Sequence, residues 1–211
     1  MKNTTTSLSL LLTGSLLLNT AFADDFTIQN DWHFAGLNQP VKQITVQETR
    51  EDGEDGEELQ KTQTFFNEQG FITEIIYDDS LKQVFEPYQG KVRNIAFIYE
   101  AEGEEQRQEL TTTWLAENHI RFDDGDLVID TFFDSEGKAT RHELFMDSTT
   151  KPDETTQYQY VDVNDPKPEI KENYVFVTNL ELDKNGNWVQ QKEEKANDKP
   201  VIRTRVIEYF P

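Results

Sequence analysis

Apolar and polar residues alternate along most of this chain, in short runs bounded by Gly, Pro, Asn and Asp. Val41 to Thr49 places Ile44 and Val46 on one side. In Phe71 to Tyr77, residues Phe71, Ile75 and Tyr77 share one face and Ile72 and Ile76 the other. Val92 to Tyr99 groups Ile95, Phe97 and Tyr99, and Arg107 to Leu115 carries the β-branched and aromatic run Thr111-Thr112-Thr113-Trp114. The cleanest alternation is Tyr174, Phe176, Thr178, Leu180 and Leu182. Period-two spacing of this kind belongs to strands, and no window sustains the three-and-four spacing of a long helix. Further strands are expected at Leu59–Phe66, Asn118–Phe122, Asp126–Phe133, Lys138–Met146, Thr155–Val163, Asn187–Lys195 and Val201–Phe210. The pattern predicts an all-β fold: an antiparallel β-meander of roughly ten or more short strands. It is expected as a single curled sheet, or as an open, barrel-like one.

One turn recurs. It reads Phe66-Asn67-Glu68-Gln69-Gly70, then Phe133-Asp134-Ser135-Glu136-Gly137, and more weakly Leu182-Asp183-Lys184-Asn185-Gly186. Asn and Asp start turns because their side chains bond the backbone ahead, and Gly accepts the positive φ that closes the loop. Hairpins are therefore expected at all three places. The glycines are 67 and 49 residues apart, so the repeat has no fixed solenoid period.

Composition adds a destination. Lys2, an apolar run from Leu8 to Leu18 and the small-x-small site Ala21-Phe22-Ala23 read as a signal peptide over residues 1–23. The apolar run is too short for a span, which needs ~20 residues. Residues 24–211 are then expected as one β-meander domain, periplasmic or secreted. With no Cys, disulfides, thiolate metal sites and a lipid anchor on Cys are excluded. Removing residues 1–23, which hold Lys2 and no acid, takes the formal charge from −21 to −22. Such an excess repels nucleic acid and anionic membrane surfaces and keeps a sheet's wet face soluble. The 14 Phe, 7 Tyr and 3 Trp supply a core that a disordered chain would lack.

Candidate chemistry is sparse. No Gly-x-Ser-x-Gly elbow and no His-Glu-x-x-His pair occurs, and thiol nucleophiles are absent. His142 lies mid-strand between Arg141 and Glu143, where a surface role is expected; His33 and His119 are expected as packed or exposed residues. Nothing singles out two of the 41 acidic residues as a hydrolytic pair. Asp183, Asn185 and Asn187, and also Asp123, Asp124 and Asp126, offer oxygen at alternate positions. The spacing of a calcium loop is not met, and ordinary turns are expected there. Trp114 and Trp188 are candidates for a sugar or peptide platform. The sequence assigns no catalytic residue, cofactor or metal.

Phe66-Asn67-x-x-Gly70-x-Ile72-Thr73 and Tyr77-Asp78 resemble the RHS, or YD-repeat, class, whose units read Tyr/Phe-Asp-x-x-Gly before an apolar strand. The stretch from Leu182-Asp183-x-x-Gly186-Asn187-Trp188 to Ile207-Glu208-Tyr209 is similar to the terminal unit of small exported bacterial proteins with such repeats, and Val41-Lys42-x-Ile44 resembles their opening strand. The resemblance covers about half of residues 24–211. It departs from the class in replacing Tyr with Phe or Leu and in its uneven spacing. It implies a β-hairpin scaffold with no catalytic residues to transfer. The expected function is a non-catalytic binding or scaffold protein for an unidentified protein or saccharide, with no nucleic acid and no membrane insertion. The alternative is a carboxylate-based hydrolase of an extracellular polymer. A cleft with two convergent carboxylates, one of raised pKa, would favour the enzyme; an aromatic face without such a pair would favour binding.

Overall fold

The structure is a computed structural model describing residues 26–50, 58–77, 81–101, 103–146, 150–165, 169 and 171–211. The expected signal peptide at 1–23 and the acidic stretch of residues 51–57 lie outside the described residues. The strand prediction holds. Strands β1 (Val41–Arg50), β2 (Glu58–Phe66), β3 (Ile72–Tyr77), β4 (Leu81–Phe85), β5 (Val92–Ala101) and β6 (Glu104–Ala116) run as successive hairpins. Then follow β7 (His119–Asp123), β8 (Val128–Phe133), β9 (Ala139–Phe145) and β10 (Glu154–Val161). The last strands are β11 (Tyr174–Leu182), β12 (Trp188–Lys195) and β13 (Val201–Tyr209). The one helix among the described residues is the single turn α1 (Asp31–Phe34).

The curled sheet closes. β13 pairs antiparallel with β1 from Val41↔Tyr209 to Arg50↔Val201, which makes a barrel of thirteen strands. Closure leaves no free edge along the ring. It also explains the one departure from the antiparallel meander. Strand direction cannot alternate around a ring with an odd number of members, so at least one neighbouring pair must be parallel. That pair is β10 and β11, in register from Gln157↔Tyr174 to Val161↔Thr178. Residues 162–173 connect them, the length of roughly a dozen residues that a parallel crossover needs. Pro166 and Pro168, within this span of the sequence, lie outside the described residues.

Register decides which side chains face inward. Ile44 and Val46 lie opposite Ile207 and Arg205, and all four belong to the inner face. On β13 the outward Thr204, Val206 and Glu208 are exposed while Arg205 is buried. β11 breaks its simple alternation. Val175 to Thr178 are buried on both faces, and the pairing shifts at Asn179/Glu181 and again at Glu181/Leu182. Leu180 and Leu182 are therefore exposed rather than aligned behind Phe176. Strand β4, Leu-Lys-Gln-Val-Phe, lacks alternation strong enough to mark it in the sequence; pairing with β3 on one side and β5 on the other holds it in the sheet.

The three recurrent turns are built alike. Oδ1 of Asn67 accepts from the backbone N–H of Gln69 and Phe71 at 3.1 and 3.0 Å. Oδ1 of Asp134 accepts from Glu136 and Lys138, both at 2.9 Å, and Oδ1 of Asp183 from Asn185 and Asn187, both at 2.9 Å. The closing glycines Gly70, Gly137 and Gly186 have φ of 85°, 78° and 79°. In each case the strand pairing slips just before the turn, at Phe65/Phe66, Phe132/Phe133 and Glu181/Leu182. In the two strong copies a Thr hydroxyl fills the slip: Thr73 donates to the Phe65 carbonyl and Thr140 to the Phe132 carbonyl. The third copy has Val189 there.

Candidate functional site

All three turns stand at one end of the barrel, around the leading segment that contains α1. Asn30 caps α1 by accepting from the His33 N–H. The segment lies across the barrel end as a plug, and each glycine meets a different part of it. A Cβ on Gly70 would fall 2.5 Å from the Trp32 ring, and one on Gly137 2.5 Å from the His33 carbonyl oxygen. One on Gly186 would fall 3.3 Å from Asn38 Nδ2. The glycines therefore serve twice, closing the turn and letting the plug approach.

Polar bonds tie the plug down. Asp31 accepts from the Ile72 N–H at 2.6 Å and from Arg93 Nη1 at 2.9 Å. Trp32 Nε1 donates to the Val41 carbonyl at 2.8 Å. The Asn38 N–H donates at 2.8 Å to Oδ1 of Asn187, which is fully buried and donates in turn to the Tyr209 hydroxyl. Arg205 is 3% exposed; it lies over the Trp188 ring at 3.8 Å and donates to the carbonyls of Trp188, Ala35 and Gly36. Burial pushes its pKa down to about 10, against the charge of Asp183. Beneath the plug Leu37, Val41, Ile44 and Phe66 form an apolar core with Trp32, Val46 and Ile207 against it. Phe34 packs between Trp114 and Phe133, with centroids 4.7 and 4.6 Å away.

A cavity of about 570 Å³ opens beside the plug, between the second and third turns. Its aromatic walls are Phe34, Tyr160 and Trp188, and its polar ones include His33, Asn38 and Asn179. Glu136 and Lys138 also line it, and they pair with each other at 2.7 Å, so the lining carries both charges in balance. Asn179 Oδ1 accepts from Gln191 Nε2 at 2.8 Å. Burial, then the charge of Glu193, pushes the Tyr160 phenol up to about 12, so it stays a neutral donor at physiological pH.

The residues read from the sequence are distributed as follows. Trp188 lines the cavity, whereas Trp114 is core, 2% exposed, with Nε1 donating to the Tyr88 hydroxyl at 3.0 Å. His142 departs from its expected surface role. Register sets it on the inner face beside Thr131 and Thr156, and its Nδ1 lies 3.0 Å from the Tyr158 hydroxyl. Burial lowers the His142 pKa and raises that of Tyr158. His119 is outward, stacked on Phe132 at 4.1 Å and 3.3 Å from Asp130 Oδ2. Asp130 is buried there; burial works to raise its pKa, but hydrogen bonds and charge from Arg121 and His119 hold it below the carboxylate range. The oxygens of the third turn are committed: Asp183 accepts from two backbone N–H groups and the Tyr209 hydroxyl, and Asn187 Oδ1 from Asn38. Asp123 and Asp124 likewise accept from the backbone of Gly125, Asp126 and Leu127. Among the described residues no group of three or more His, Cys, Asp or Glu side chains is placed to hold a metal ion.

A second constellation sits on the inner face at the opposite mouth. Arg203 on β13 donates through Nε to Glu48 on β1 at 2.6 Å and through Nη1 to Glu193 on β12. These three residues line a cavity of about 420 Å³. Burial raises the Glu193 pKa, although Arg203 and Lys195 oppose it. No sequence signal singled out these two of the 41 acids, because residues 48 and 193 meet only when β13 closes the ring between them. No protein family, curated protein or solved structure matches this chain.

Proposed function

We propose that this chain is an exported, non-catalytic binding protein of RHS-like hairpin units, and that its ligand seat is the cavity between the plug and the second and third turns. The carrying observation is the lining of that cavity. It combines the aromatic walls of Tyr160 and Trp188 with the amides of Asn38 and Asn179 and a self-compensating ion pair. A concave site with aromatic faces and a few convergent polar groups is the ordinary form of a small-ligand pocket. The balanced charge favours a neutral, hydroxyl-rich ligand such as a saccharide. A peptide added as an extra strand requires a free sheet edge, and the ring of paired strands offers none. Outward residues such as Gln47, Thr204 and Glu208 are exposed and polar, unlike the apolar band of a membrane barrel. Among the described residues no helix is long and apolar enough to cross a membrane.

The alternative of a hydrolase draws on Glu48 and Glu193, which converge beside one cavity with the Glu193 pKa raised. Both carboxylates are engaged by the same guanidinium, however. A general acid must turn its proton toward the scissile oxygen, and the Arg203 fork competes for that carboxyl. Binding is therefore the better reading. The test is titration of the protein with neutral oligosaccharides, followed by tryptophan fluorescence and calorimetry. Saturable binding that is lost in Trp188→Ala, with the barrel's circular dichroism retained, is the expected result. Oligosaccharide binding unaffected by Trp188→Ala would place the seat elsewhere, and hydrolysis lost in Glu193→Gln would establish the enzyme.

A further inference from the structure

The cavity beside the plug leaves more hydrogen-bond donors open than acceptors. Tyr160 pairs with Val177 on β11, two residues before Asn179, so Tyr160 and Asn179 are diagonal neighbours on the inner face. Oδ1 of Asn179 already accepts from Gln191, and its open pole is the Nδ2 amide with two N–H groups. The Tyr160 hydroxyl and the Trp188 Nε1–H make no hydrogen bond among the described residues. Both are donors, since the phenol stays neutral. His33 adds at least one more. Against these stand the phenol's own oxygen and Oδ1 of Asn38, whose Nδ2 donates to the Asn185 carbonyl at 3.3 Å. Arg205 occupies the plug carbonyls of Ala35 and Gly36. Glu136 and Lys138 answer each other, and Glu136 stands out in solvent. Trp188 is one-sided as well: Arg205 covers one face of its ring at 3.8 Å and leaves the other.

We propose that this seat selects an N-acetylated amino sugar over a plain sugar, the acetamido carbonyl accepting from Asn179 and Tyr160 and the acetamido N–H donating to Asn38. The inference rests on the reading of this cavity as a saccharide seat. A hydroxyl brings a donor with every acceptor, so a plain sugar against this wall adds O–H groups that find few oxygens. Burying such a group without a partner costs affinity. A carbonyl oxygen accepts two hydrogen bonds and brings no donor of its own. One acetamido group thus takes two open donors and supplies one, the proportion that Asn179, Tyr160 and Asn38 offer. Its methyl finds apolar surface at Phe34 and Leu182. The sugar ring lies on the free face of Trp188, where its C–H groups meet the negative face of the π-system. A volume of about 570 Å³ is within the range of small-ligand pockets.

The experiment is calorimetric titration of the full chain with diacetylchitobiose and with cellobiose, which differ only in carrying acetamido or hydroxyl on the second carbon of each ring. Diacetylchitobiose is expected to bind saturably, and cellobiose at least about tenfold more weakly. Tyr160→Phe keeps the ring and removes the hydroxyl. Asn179→Asp keeps the acceptor for Gln191 and removes the two N–H donors. Each is expected to weaken diacetylchitobiose about tenfold and cellobiose less than about threefold, with the far-ultraviolet circular dichroism retained. Equal binding of the two disaccharides, lost in Trp188→Ala, would overturn the acetamido inference and leave the saccharide seat standing. Binding of neither would overturn both. A preference for diacetylchitobiose that survives Tyr160→Phe and Asn179→Asp alike would also overturn the inference, because this wall would then not be reading the acetamido group.

Discussion

Gly137 separates two costs that usually travel together. Its φ is 78°, and a Cβ there would fall 2.5 Å from the His33 carbonyl oxygen and 2.8 Å from the His33 ring. Gly125 provides the control. Its φ is 95°, yet a Cβ there would meet nothing within 4 Å. Both positions lie where an L side chain is strained, so Gly→Ala at either costs about 1–2 kcal/mol in backbone energy. Stiffening of the unfolded chain adds to that loss by none of its own; it offsets about 0.4–1 kcal/mol at both sites alike. Gly137→Ala must also push the plug outward. The atom met is backbone, which cannot rotate away, so the overpacking cost of about 1–3 kcal/mol applies in full. Gly125→Ala is therefore expected to cost about 1 kcal/mol and Gly137→Ala about 3. For a domain of this size each kcal/mol lowers Tm by roughly 2–4 °C. Urea unfolding checks the pair, provided that the m-value is the same in both variants and only the midpoint moves. Equal destabilisation by the two substitutions, within about 0.5 kcal/mol, would refute the claim that this turn supports the plug.

Asp134→Ala removes the acceptor for two backbone N–H groups and is expected to cost about 1–2 kcal/mol by the same urea assay; Asp134→Asn, which keeps the acceptor, should cost much less. Arg205→Met keeps much of the side-chain length but strips the carbonyls of Trp188, Ala35 and Gly36 of their donor, and about 3 kcal/mol is expected. The lowered pKa of His142 means that the unfolded state binds the proton first, so stability contributed there is complete above the ordinary His range and falls as pH drops through about 6.5. An imidazole resonance of His142 titrating at or above that value by NMR would refute this. Glu193 has the opposite sign: its raised pKa makes the folded state hold the proton longer, so stability declines as pH rises from about 4.3 through the folded value, and Glu193→Gln should flatten that decline. Monovalent salt should raise Tm by screening the acidic surface, while calcium at matched ionic strength should add nothing further, because the turn carboxylates already bond the backbone. Saturable micromolar calcium binding lost in Asp183→Ala would contradict that reading.

Strand and turn were legible because both are local. Alternation over Val92–Tyr99 or Val201–Phe210 needs only the pleat, and Asn67, Asp134 and Asp183 find their backbone partners within four residues. Even the use of Gly at 70, 137 and 186 follows from turn geometry alone. The further role of those glycines was not visible. Trp32, His33 and Asn38 meet turns that lie far along the chain and at unequal intervals, so no spacing rule connects them. Closure was also out of reach. A meander pattern is the same for an open sheet and a ring, and the ladder between Val41–Arg50 and Val201–Tyr209 joins the two ends of the described sheet. Once that ladder forms, parity demands one parallel pair, and the crossover at residues 162–173 supplies it. The inward turn of His142 and the meeting of Glu48 with Glu193 follow from the same closure. Local pattern sets which residues alternate, but register around a closed ring sets which face is inside and which distant charges share a cavity.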